Sequence, residues 1–353
     1  MRFRVLMSLL AFVLCLLPSH AKAAEQLQTA WIGEHEAFLV WYAKQKGWDK
    51  DAGLDIRMLR FGSGDKIVSR QGDYQWKIAG CGAVPTLMAA SKGQFYVVGI
   101  GNDESASNAI FTRADSPILK MKGFNPNCPE VYGNPGSVRG KTFTVPKGTS
   151  AHYMLSRWLH VLGLNERDVN IVDMQPSEAM KAFADGQGDA IALWAPQTFE
   201  AEKLGLKTVA HSSDCNARQP ILLVANMDYA NKHKGDIVAF LRVYLRSVDM
   251  MKKTPAEDLA DDYMRFYNAW TGKTMTREEA IRDIKDHPVY ALDQQLDMFK
   301  QSYGTSELRE WLHDIVSFQN ETGELDRRDL ARLERLHYVT DIYLKAVKAP
   351  AKK

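Results

Sequence analysis

The sequence predicts an α/β protein of two similar lobes followed by a helical segment. Strand-like and helix-like segments alternate from residue 28 to residue 99, and the same alternation returns between residues 141 and 194. After about Asn226 the apolar residues follow helical spacing only. Alternating strands and helices indicate largely parallel sheets with right-handed crossovers. Because the alternation occurs twice, we expect two sheets of the same kind.

The spacing of apolar residues defines the elements of the first unit. Phe38 and Tyr42 fall on one face of a helix that ends before Gly47. Leu54 and Ile56 alternate with polar residues, as in a strand. The predicted elements are, in order, strand 28–32, helix 37–46, strand 54–59, strand 76–79, helix 84–91 and strand 95–99.

The second unit repeats this order. Leu155, Trp158 and Leu162 lie on one face of a helix that Gly163 ends, and Ser177 is a candidate cap for the next helix. The predicted elements are strand 141–145, helix 150–162, strand 170–173, helix 177–184 and strand 190–194. The stretch 123–136, which contains three prolines and three glycines, has the composition of an irregular surface loop.

The last third of the chain predicts helices alone. Ile237, Leu241, Tyr244 and Val248 share one apolar face, and similar spacing predicts one continuous final helix over residues 328–346. The charged faces of the helices after residue 250 are expected to be exposed to solvent. A chain of 353 residues also exceeds the size at which a single core keeps growing, which favours two domains.

The first 23 residues have the pattern of a cleaved export signal. Arg2 and Arg4 precede the apolar run Val5–Leu17, and Ala21-Lys22-Ala23 is a small-x-small cleavage site. The run of about thirteen residues is shorter than the roughly 20 that a bilayer requires, which argues against a retained membrane anchor. No small residue directly precedes Cys15, which argues against a lipoprotein. We therefore expect a mature periplasmic protein.

Charge excludes one class of function. Removal of residues 1–23 leaves 42 basic and 43 acidic residues of the 45 and 43 in the whole chain. A nucleic-acid-binding protein shows a basic excess or a basic stripe. The balanced charge therefore argues against nucleic acid as a partner.

Three cysteines remain after the predicted cleavage. Cys128 and Cys215 lie in polar, loop-like surroundings, whereas Cys81 lies in an apolar turn. An oxidising compartment therefore favours a disulfide between Cys128 and Cys215. The alternative is three buried thiols, since free cysteine packs as a small apolar residue. The sequence has no CxxC pair or Cys/His cluster, and we predict no metal site and no cofactor.

One part of the second unit resembles a known family. Residues 140–153 read GKTFTVPKGTSAHY and are followed by Gly163-Leu164, Asp168-Val169, AFADG at 182–186, Asp189-Ala190 and Trp194-Ala195-Pro196. With this pattern the chain resembles the nitrate/sulfonate/taurine class of periplasmic binding proteins, which also includes receptors for thiamine-precursor pyrimidines. The resemblance covers essentially the whole chain after the export signal.

The resemblance implies a type II periplasmic binding protein fold, in which two α/β lobes joined by two crossovers hold a small solute between them. It implies a lobe 1 at 24–112 plus 222–353 and a lobe 2 at 113–221, after the signal peptide at 1–23. It further implies a monomer that is not an enzyme and that delivers its solute to the permease of an ABC transporter. Open α/β sheets bind ligands beyond the carboxyl ends of their strands, which independently predicts a site between the lobes.

Polar residues that follow the predicted strands are the candidate ligand contacts. They come from both lobes, so that two rows of strand ends face each other. In order along the chain they are Glu34, His35, Glu36, Ser63, Asp65, Cys81, Asn102, Asp103, Glu104, Thr149, Ser150, His152, Trp194 and Asp214.

Several candidates also have a purely structural interpretation. Glu34 or Glu36 can complement the dipole of the helix that follows. His152 and Trp194 can be packing residues. Thr149 can cap its helix, although a cap and a ligand contact are compatible because other N–H groups of that turn remain free for an anion.

The balance of charge predicts the class of ligand. Lobe 1 offers little basic charge beyond His35 and Lys66, and its candidate carboxylates are Glu34, Glu36, Asp65, Asp103 and Glu104. These like charges would repel a bare oxyanion, whereas the helix start at 148–150 in lobe 2 suits an anionic group. We therefore expect an amine-bearing or zwitterionic, taurine-like solute, with a pyrimidine or another nitrogenous solute as the alternative.

Two other functions belong to related proteins. A pyrimidine-synthase branch with the same fold consumes a cofactor and a histidine of its own, and His152 or Cys81 would be the residues recruited here. The export signal argues against that enzyme, and the sequence lacks a G-x-S-x-G elbow, zinc-ligand spacing and a phosphate loop. A periplasmic sensory co-receptor that works without an importer is the third class.

Overall fold

The computed structural model describes residues 26–348. The predicted export signal at 1–23 lies outside the described residues, as does the end of the chain after residue 348. Strands and helices alternate up to residue 226, and the elements after it are helices. Among the described helices, none is long and apolar enough to cross a membrane.

The strands of the described range form two five-stranded sheets. They are β1 Gln26–Trp31, β2 Asp55–Arg60, β3 Ile78–Gly82, β4 Phe95–Asp103, β5 Ala109–Thr112, β6 Thr142–Val145, β7 Asn170–Asp173, β8 Ala190–Leu193, β9 Lys207–His211 and β10 Pro220–Asn226. The first sheet has the order β2-β1-β3-β10-β4, and the second has the order β7-β6-β8-β5-β9. We call the first sheet with the elements packed on it lobe 1, and the second sheet with its helices lobe 2.

Both sheets are mixed rather than largely parallel as the sequence predicted. β1 runs parallel to β2 and β3, but β10 is antiparallel to β3 and β4. In the second sheet β5 is antiparallel to β8 and β9. The two exceptional strands, β5 and β10, are those by which the chain enters each sheet from the other lobe, which explains their reversed direction.

The chain passes between the sheets at residues 104–108 and again at residues 212–219. Since β5 pairs only with strands of the second sheet, the boundary predicted after residue 112 falls one strand too late. The boundary predicted after residue 221 falls inside β10, which starts at Pro220. The first crossing reads ESASN and contains neither proline nor glycine, so that it carries no composition typical of a linker.

The helices cover the faces of both sheets and form the C-terminal third of the molecule. They are α1 His35–Gln45, α2 Trp48–Asp51, α3 Gly64–Ser69, α4 Gln71–Tyr74, α5 Ala83–Ala90, α6 Pro135–Val138, α7 Ser150–Val161, α8 Pro176–Ala184, α9 Gln197–Lys203, α10 Met227–Lys232, α11 Lys234–Lys253, α12 Ala256–Thr271, α13 Arg277–Asp286, α14 Leu292–Phe299, α15 Glu307–Glu321, α16 Arg327–Arg335 and α17 Ile342–Lys348. Short 3-10 turns lie at 117–120, 166–168 and 213–215.

Each lobe has its own hydrophobic core, and the C-terminal helices complete the core of lobe 1. Trp31 of β1 stacks on Tyr244 of α11, with ring centroids 6.3 Å apart. Phe38 of α1 meets Tyr263 of α12 edge to face at 4.9 Å. Buried aromatic pairs of this kind contribute about 0.5–1.5 kcal/mol beyond the area they bury. The late helices are therefore an integral part of lobe 1.

The predicted continuous helix 328–346 is wrong. The structure has α16 and α17 with an extended segment between them, in which His337 adopts a positive φ of 43°. The N–H of Val97 on β4 donates to Tyr338 O at 2.7 Å, and Thr340 N–H donates to Val97 O at 3.1 Å. The segment thus covers the open edge of the first sheet, and these bonds replace those of a helix.

The predicted Cys128–Cys215 disulfide is not formed in the structure. Cys81, Cys128 and Cys215 are all free and buried. Cys128 and Cys215 belong to the same hydrophobic core cluster of lobe 2, where burial raises the pKa of the Cys215 thiol. The thiols therefore pack as small apolar groups in this core.

Candidate ligand-binding site

A small cavity lies where the strand ends of the two lobes face each other. Its lobe 1 walls are Ile32, Glu34, Gly64, Gly82, Pro85, Glu104 and Ile221, and its lobe 2 walls are Thr149, Ser150 and Trp194. The volume is about 20 Å³, which is enough for a water molecule. Typical small-molecule sites occupy roughly 300 Å³ or more. The lobes must therefore separate to admit an organic solute.

Glu34 connects the two lobes at this cavity. It follows β1 and precedes α1, and its side chain makes no capping bond to that helix. Instead, Trp194 of lobe 2 donates its indole Nε1–H to Glu34 Oε1. Both side chains are nearly fully buried. Complementing the α1 dipole alone does not account for a carboxyl group that reaches the other lobe.

Glu104 is the second carboxyl group in the cavity wall. It begins the first crossing, and its carbonyl accepts the N–H of Ser107 at 2.9 Å and of Asn108 at 3.0 Å. Its Oε2 accepts Asn108 Nδ2 at 3.1 Å. The crossing therefore holds Glu104 in the same cavity wall as Glu34.

The environment of these carboxyl groups favours their protonated forms. Burial, followed by the charges of Glu36 and Glu104, raises the pKa of Glu34 well above its usual value. Burial also raises the pKa of Glu104, although nearby His287 opposes this change. Removing a carboxylate from water disfavours its charged form, and a second carboxylate adds to this effect. A proton shared within the Glu34–Glu104 pair reduces both the desolvation cost and the repulsion between the two carboxylates.

A second layer of buried polar side chains lies behind the cavity wall. Glu36 is fully buried, and its pKa is raised to about 8 by burial and by the charge of Glu104. His35 stacks on His287 at 5.1 Å, and burial together with His287 lowers the pKa of His35. Within residues 26–348, the side-chain polar atoms of His35, Glu36 and Asn102 have no hydrogen-bond partner. These three groups are therefore available to buried water or to a polar solute.

Lobe 2 contributes the start of α7 to the cavity. Gly148 has a positive φ of 69° and leads into Thr149 and Ser150, which line the wall. The Thr149 hydroxyl donates to Pro146 O at 2.6 Å and does not cap α7. The first N–H groups of a helix have no acceptor within that helix. They therefore suit an anionic group of a solute.

Ser63, Asp65 and Cys81 lie beside the cavity rather than in its wall. Ser63 Oγ donates to Asp65 Oδ1 and lies 3.3 Å from Gln175 Oε1 of lobe 2. Cys81 is buried, and its thiol donates to Gly64 O at 3.6 Å. Burial raises the pKa of this thiol, so that it stays protonated. Gly64, between these residues, is the part of this region that reaches the wall.

His152 does not reach the cavity wall. Its Nε2 lies 3.0 Å from Glu166 Oε1, and its Nδ1 lies 3.5 Å from Glu324 Oε1 of lobe 1. Nδ1 also accepts the Gly148 N–H at 3.3 Å, a bond that a charged His152 gives up. Although burial lowers it, the pKa of His152 is raised to about 8 by the hydrogen bonds and charges of the two glutamates. His152 is thus an ion-pair residue between the lobes.

Asp103 and Asp214 are used within their own turns. Asp103 Oδ1 accepts the Ser105 N–H at 2.9 Å, and its Oδ2 lies 3.2 Å from Arg218. Asp214 Oδ2 accepts the His211 N–H at 2.7 Å. Both aspartates stabilise the segments through which the chain crosses between lobes, and neither belongs to the cavity wall.

Two residues that sequence spacing did not predict, Gln219 and His287, are close to the site in space but distant along the chain from their partners. Gln219 Nε2 donates to Ser150 O at 2.9 Å and so holds the start of α7 against the second crossing. His287 Nε2 lies 2.9 Å from Ser107 Oγ, and its Nδ1 lies 2.6 Å from Asp283 O. No pattern in the helical segment indicated His287 as a residue near the site, because its partner Ser107 lies 180 residues earlier. A strand-end search could have included Gln219, which directly precedes β10.

Ion pairs join the lobes at the rim of the site. Arg282 of α13 meets Glu202 of α9 at 2.6 Å, Lys273 meets Glu200 at 2.9 Å, and Lys203 meets Glu279 at 2.7 Å. The side chains of Arg282 and Lys273 are exposed, as predicted for the charged faces of the helices after residue 250, and they also reach lobe 2. Exposed pairs of this kind contribute about 0–1 kcal/mol each, so they favour closure weakly and reversibly.

The described acidic and histidine side chains of this cluster do not form a metal site. Within the part of the chain that the structure describes, no group of three or more His, Cys, Asp or Glu side chains could hold a metal ion. The groups that the site offers a solute are therefore hydrogen bonds, charge and the apolar walls of Ile32, Pro85 and Ile221.

Sequence comparison relates the chain to known proteins. A family model described as NMT1/THI5 like matches residues 129–258. A protein of Brachyspira hyodysenteriae, named as an ABC transporter periplasmic binding protein, is 29% identical over 240 residues, which are 68% of this chain and 68% of that protein. A protein of Bacillus subtilis, named as an aliphatic sulfonates-binding protein, is 26% identical over 266 residues, with 73% and 76% covered.

Structural comparison agrees with these relatives. The periplasmic aliphatic sulphonate binding protein of Escherichia coli matches with a TM-score of 0.67 at 17% identity, covering 89% of this chain and 99% of that chain. At this identity the likeness shows the fold, which is the periplasmic binding protein fold predicted from the sequence. The chain thus has the periplasmic binding protein fold, its segment 129–258 is similar to NMT1/THI5-like proteins, and the two relatives are named as periplasmic and sulfonate-binding proteins.

Proposed function

We propose that the chain is the periplasmic solute-binding receptor of an ABC importer and that it binds an amine-bearing or zwitterionic organic solute between its lobes. The observation that carries the proposal is the contact between Glu34 and Trp194, which places a buried carboxyl group of lobe 1 and a hydrogen-bond donor of lobe 2 in the same cavity. A solute bound there contacts both lobes at once, as a receptor that closes around its ligand requires.

The charge of the wall supports an amine. Among the described residues that form the wall, the charged ones are Glu34 and Glu104. A cationic nitrogen gains charge-assisted hydrogen bonds from such carboxylates. On the opposite wall, the start of α7 suits an anionic end, so that a zwitterion fits across the cavity.

The relatives support the receptor role and the compartment. One is named as a periplasmic binding protein of an ABC transporter, and another as an aliphatic sulfonates-binding protein. The export signal predicted at residues 1–23 agrees with a periplasmic location. A receptor needs no catalytic step, and the proposed partners are a small solute and the permease to which it is delivered.

A screen with matched solutes tests the proposal. Taurine and 2-hydroxyethanesulfonate differ by an amine in place of a hydroxyl group, as do putrescine and 1,4-butanediol. We expect an amine-bearing member to raise the melting temperature of the mature protein while its hydroxyl partner does not, since ligand at 100 times its Kd stabilises by about 2.7 kcal/mol. Preferential binding of a nitrogen-free anion would contradict the proposed solute class.

Variants connect the binding to the site. Glu34→Gln removes the charge while keeping the size of the side chain, and we expect it to weaken binding by about 2–5 kcal/mol. The matched control is Glu130→Gln in the surface loop of lobe 2, where the carboxylate is exposed and pairs with Lys122. Equal affinity of wild type and Glu34→Gln would show that the solute binds elsewhere.

A further inference from the structure

Three buried carboxyl groups lie at or directly behind the wall of the cavity. Glu34 and Glu104 are both buried and line it together. Glu36 lies behind them, and among the described residues its carboxyl oxygens have no hydrogen-bond partner. Two buried carboxylates that face one small cavity repel each other, which favours a proton on one of them. The Glu34–Glu104 pair is therefore expected to carry one negative charge in this arrangement.

Few positive charges are close enough to replace that proton. Among the described residues, two histidines and several groups that ionise to anions face the three carboxyl groups. They are His35 of α1, His287 after α13, Cys81 of β3, Asp103 of β4, Tyr244 of α11, Tyr263 of α12 and Asp283 of α13. His35 is held neutral because burial lowers its pKa. His287 donates Nδ1–H to Asp283 O, which leaves Nε2 to Ser107. Arg218 is engaged with Asp103, which directly precedes Glu104.

A cationic solute changes this balance in one specific way. An ammonium group placed beside Glu34 and Glu104 supplies one positive charge, and the pair then holds it best with both carboxylates ionised. If the proton leaves as the cation arrives, the pair and its occupant keep a net charge of −1 before and after binding. Any other outcome changes the net charge of a site with little water, which costs free energy.

We propose that the site exchanges a proton for the cationic group of its solute: the solute's ammonium takes the place of the proton shared by Glu34 and Glu104, and that proton is released to solvent. This inference rests on the proposed function, because it assigns the solute's amine to that cavity. No covalent bond other than the carboxyl O–H is broken, and the amine keeps its own proton.

The exchange predicts both selectivity and pH dependence. A hydroxyl analogue brings no charge to replace the proton, so it is rejected even though its size is the same. Affinity for the amine rises by about tenfold per pH unit while the pair is protonated and levels off once the pair ionises without solute. Trp194 keeps its bond to Glu34 throughout and holds the carboxylate in position.

Proton release is measured directly by calorimetry in buffers that differ in ionisation enthalpy. With taurine or putrescine, whichever binds in the screen, we expect release of about one proton per solute at neutral pH. In Glu34→Gln the release falls toward zero, whereas Glu130→Gln behaves as wild type. Binding of the amine with no proton release overturns the exchange and leaves the receptor function intact.

A second measurement needs no solute. In the folded protein the raised pKa of Glu36, about 8, and those of Glu34 and Glu104 predict proton uptake on folding. The stability that this provides is present at acidic pH and is lost as pH rises toward 8. His152 contributes with the same sign, so the comparison is made in the His152→Gln background. In that background, we expect the free energy of unfolding to depend less steeply on pH once Glu34→Gln is added.

The two measurements separate the possible failures. If Glu34→Gln leaves the pH dependence of the unfolding free energy unchanged, Glu34 and Glu104 do not share a proton, whether or not a solute binds. If neither amine binds, the proposed solute class is contradicted while the solute-free slope still decides whether the carboxyl groups hold protons. Proton release that persists in Glu34→Gln assigns the proton to another group and overturns the inference.

Discussion

Trp194 donates its indole N–H to Glu34 Oε1, and this bond joins the strand end of β8 in lobe 2 to that of β1 in lobe 1. The two residues are 160 positions apart in the chain and are nearly fully buried. A donor at this point orients the Glu34 carboxylate and opposes the rise in its pKa. The contact therefore makes the position of a cavity-lining carboxyl group in lobe 1 depend on the position of lobe 2.

Trp194→Phe tests that dependence, because it keeps an aromatic ring and removes the N–H. We expect solute affinity to fall by about 1–3 kcal/mol, the cost of leaving a buried acceptor without its donor. Calorimetry with the solute identified by the screen measures the loss. Trp48→Phe is the control, since Trp48 packs against Tyr42 and Arg246 on the outside of lobe 1. Equal losses in both variants would assign the effect to general packing.

His152→Gln is expected to remove a pH-dependent part of the stability. The pKa of His152 is raised to about 8 in the folded protein, above its ordinary 6.5. The resulting stabilisation is complete below pH 6.5 and is lost as pH rises through 8, with a size of about 1–2 kcal/mol. Urea unfolding between about pH 6 and pH 9 measures it. The exposed His313 provides the control variant His313→Gln. A wild-type curve that rises with pH would contradict the ion pairs with Glu166 and Glu324.

Gly80→Ala is expected to destabilise lobe 1 although the added group is only a methyl. A Cβ at this position would lie 2.6 Å from the Trp31 ring and 2.8 Å from Glu36 Cγ. Overpacking of this kind costs about 1–3 kcal/mol. Gly235→Ala in the first turn of α11 is the control, because nothing lies within 4 Å of its Cβ. Urea denaturation compares the two, and an undiminished stability of Gly80→Ala would show that β3 and α1 are packed less closely.

The three thiols give a chemical prediction. Denatured mature protein should react with a thiol reagent at Cys81, Cys128 and Cys215, and the folded protein should react slowly because all three are buried. Quantitative labelling followed by mass spectrometry distinguishes three free thiols from a disulfide with one free thiol. Labelling of Cys81 alone after denaturation would show that Cys128 and Cys215 are joined after all.

Local pattern predicted seven of the ten described strands, β1 to β4 and β6 to β8, but missed β5, β9 and β10 and with them the exchange of strands between the sheets. The alternation of Leu54 and Ile56 with polar residues predicted the position of β2 because these two side chains are buried. β5 and β10 carry no sign of which sheet they join, since that depends on pairing with β8 and β3, distant in the chain. In the same way, the apolar residues keep helical spacing through residues 336–341. Hydrogen bonds to Val97 nevertheless hold this segment against β4 instead of in a helix.

For the site, the strand-end rule named five residues that line the cavity between the lobes, and their contact with a solute stays a prediction. Glu34, Glu104, Thr149, Ser150 and Trp194 all form the cavity wall. The rule could not show which polar side chains are already satisfied in their own turns. Asp103 binds Ser105 two residues later, and Asp214 binds His211 three residues earlier. Backbone geometry of the individual loops decides this, and sequence spacing alone does not.

The entry and exit strands of lobe 2 have a consequence for protein engineering. β5 and β9 are hydrogen-bonded neighbours, and Ala109, where the chain enters the second sheet, pairs directly with His211, where the chain leaves it. Lobe 2 is thus inserted into lobe 1 with its two ends side by side. A segment with adjacent ends can be removed or exchanged while the chain path of the rest of the protein stays the same. Residues 109–211 are therefore the segment to exchange between homologous proteins. Chimeras that join it to a homologous lobe 1 would assign each half's share of ligand selectivity separately.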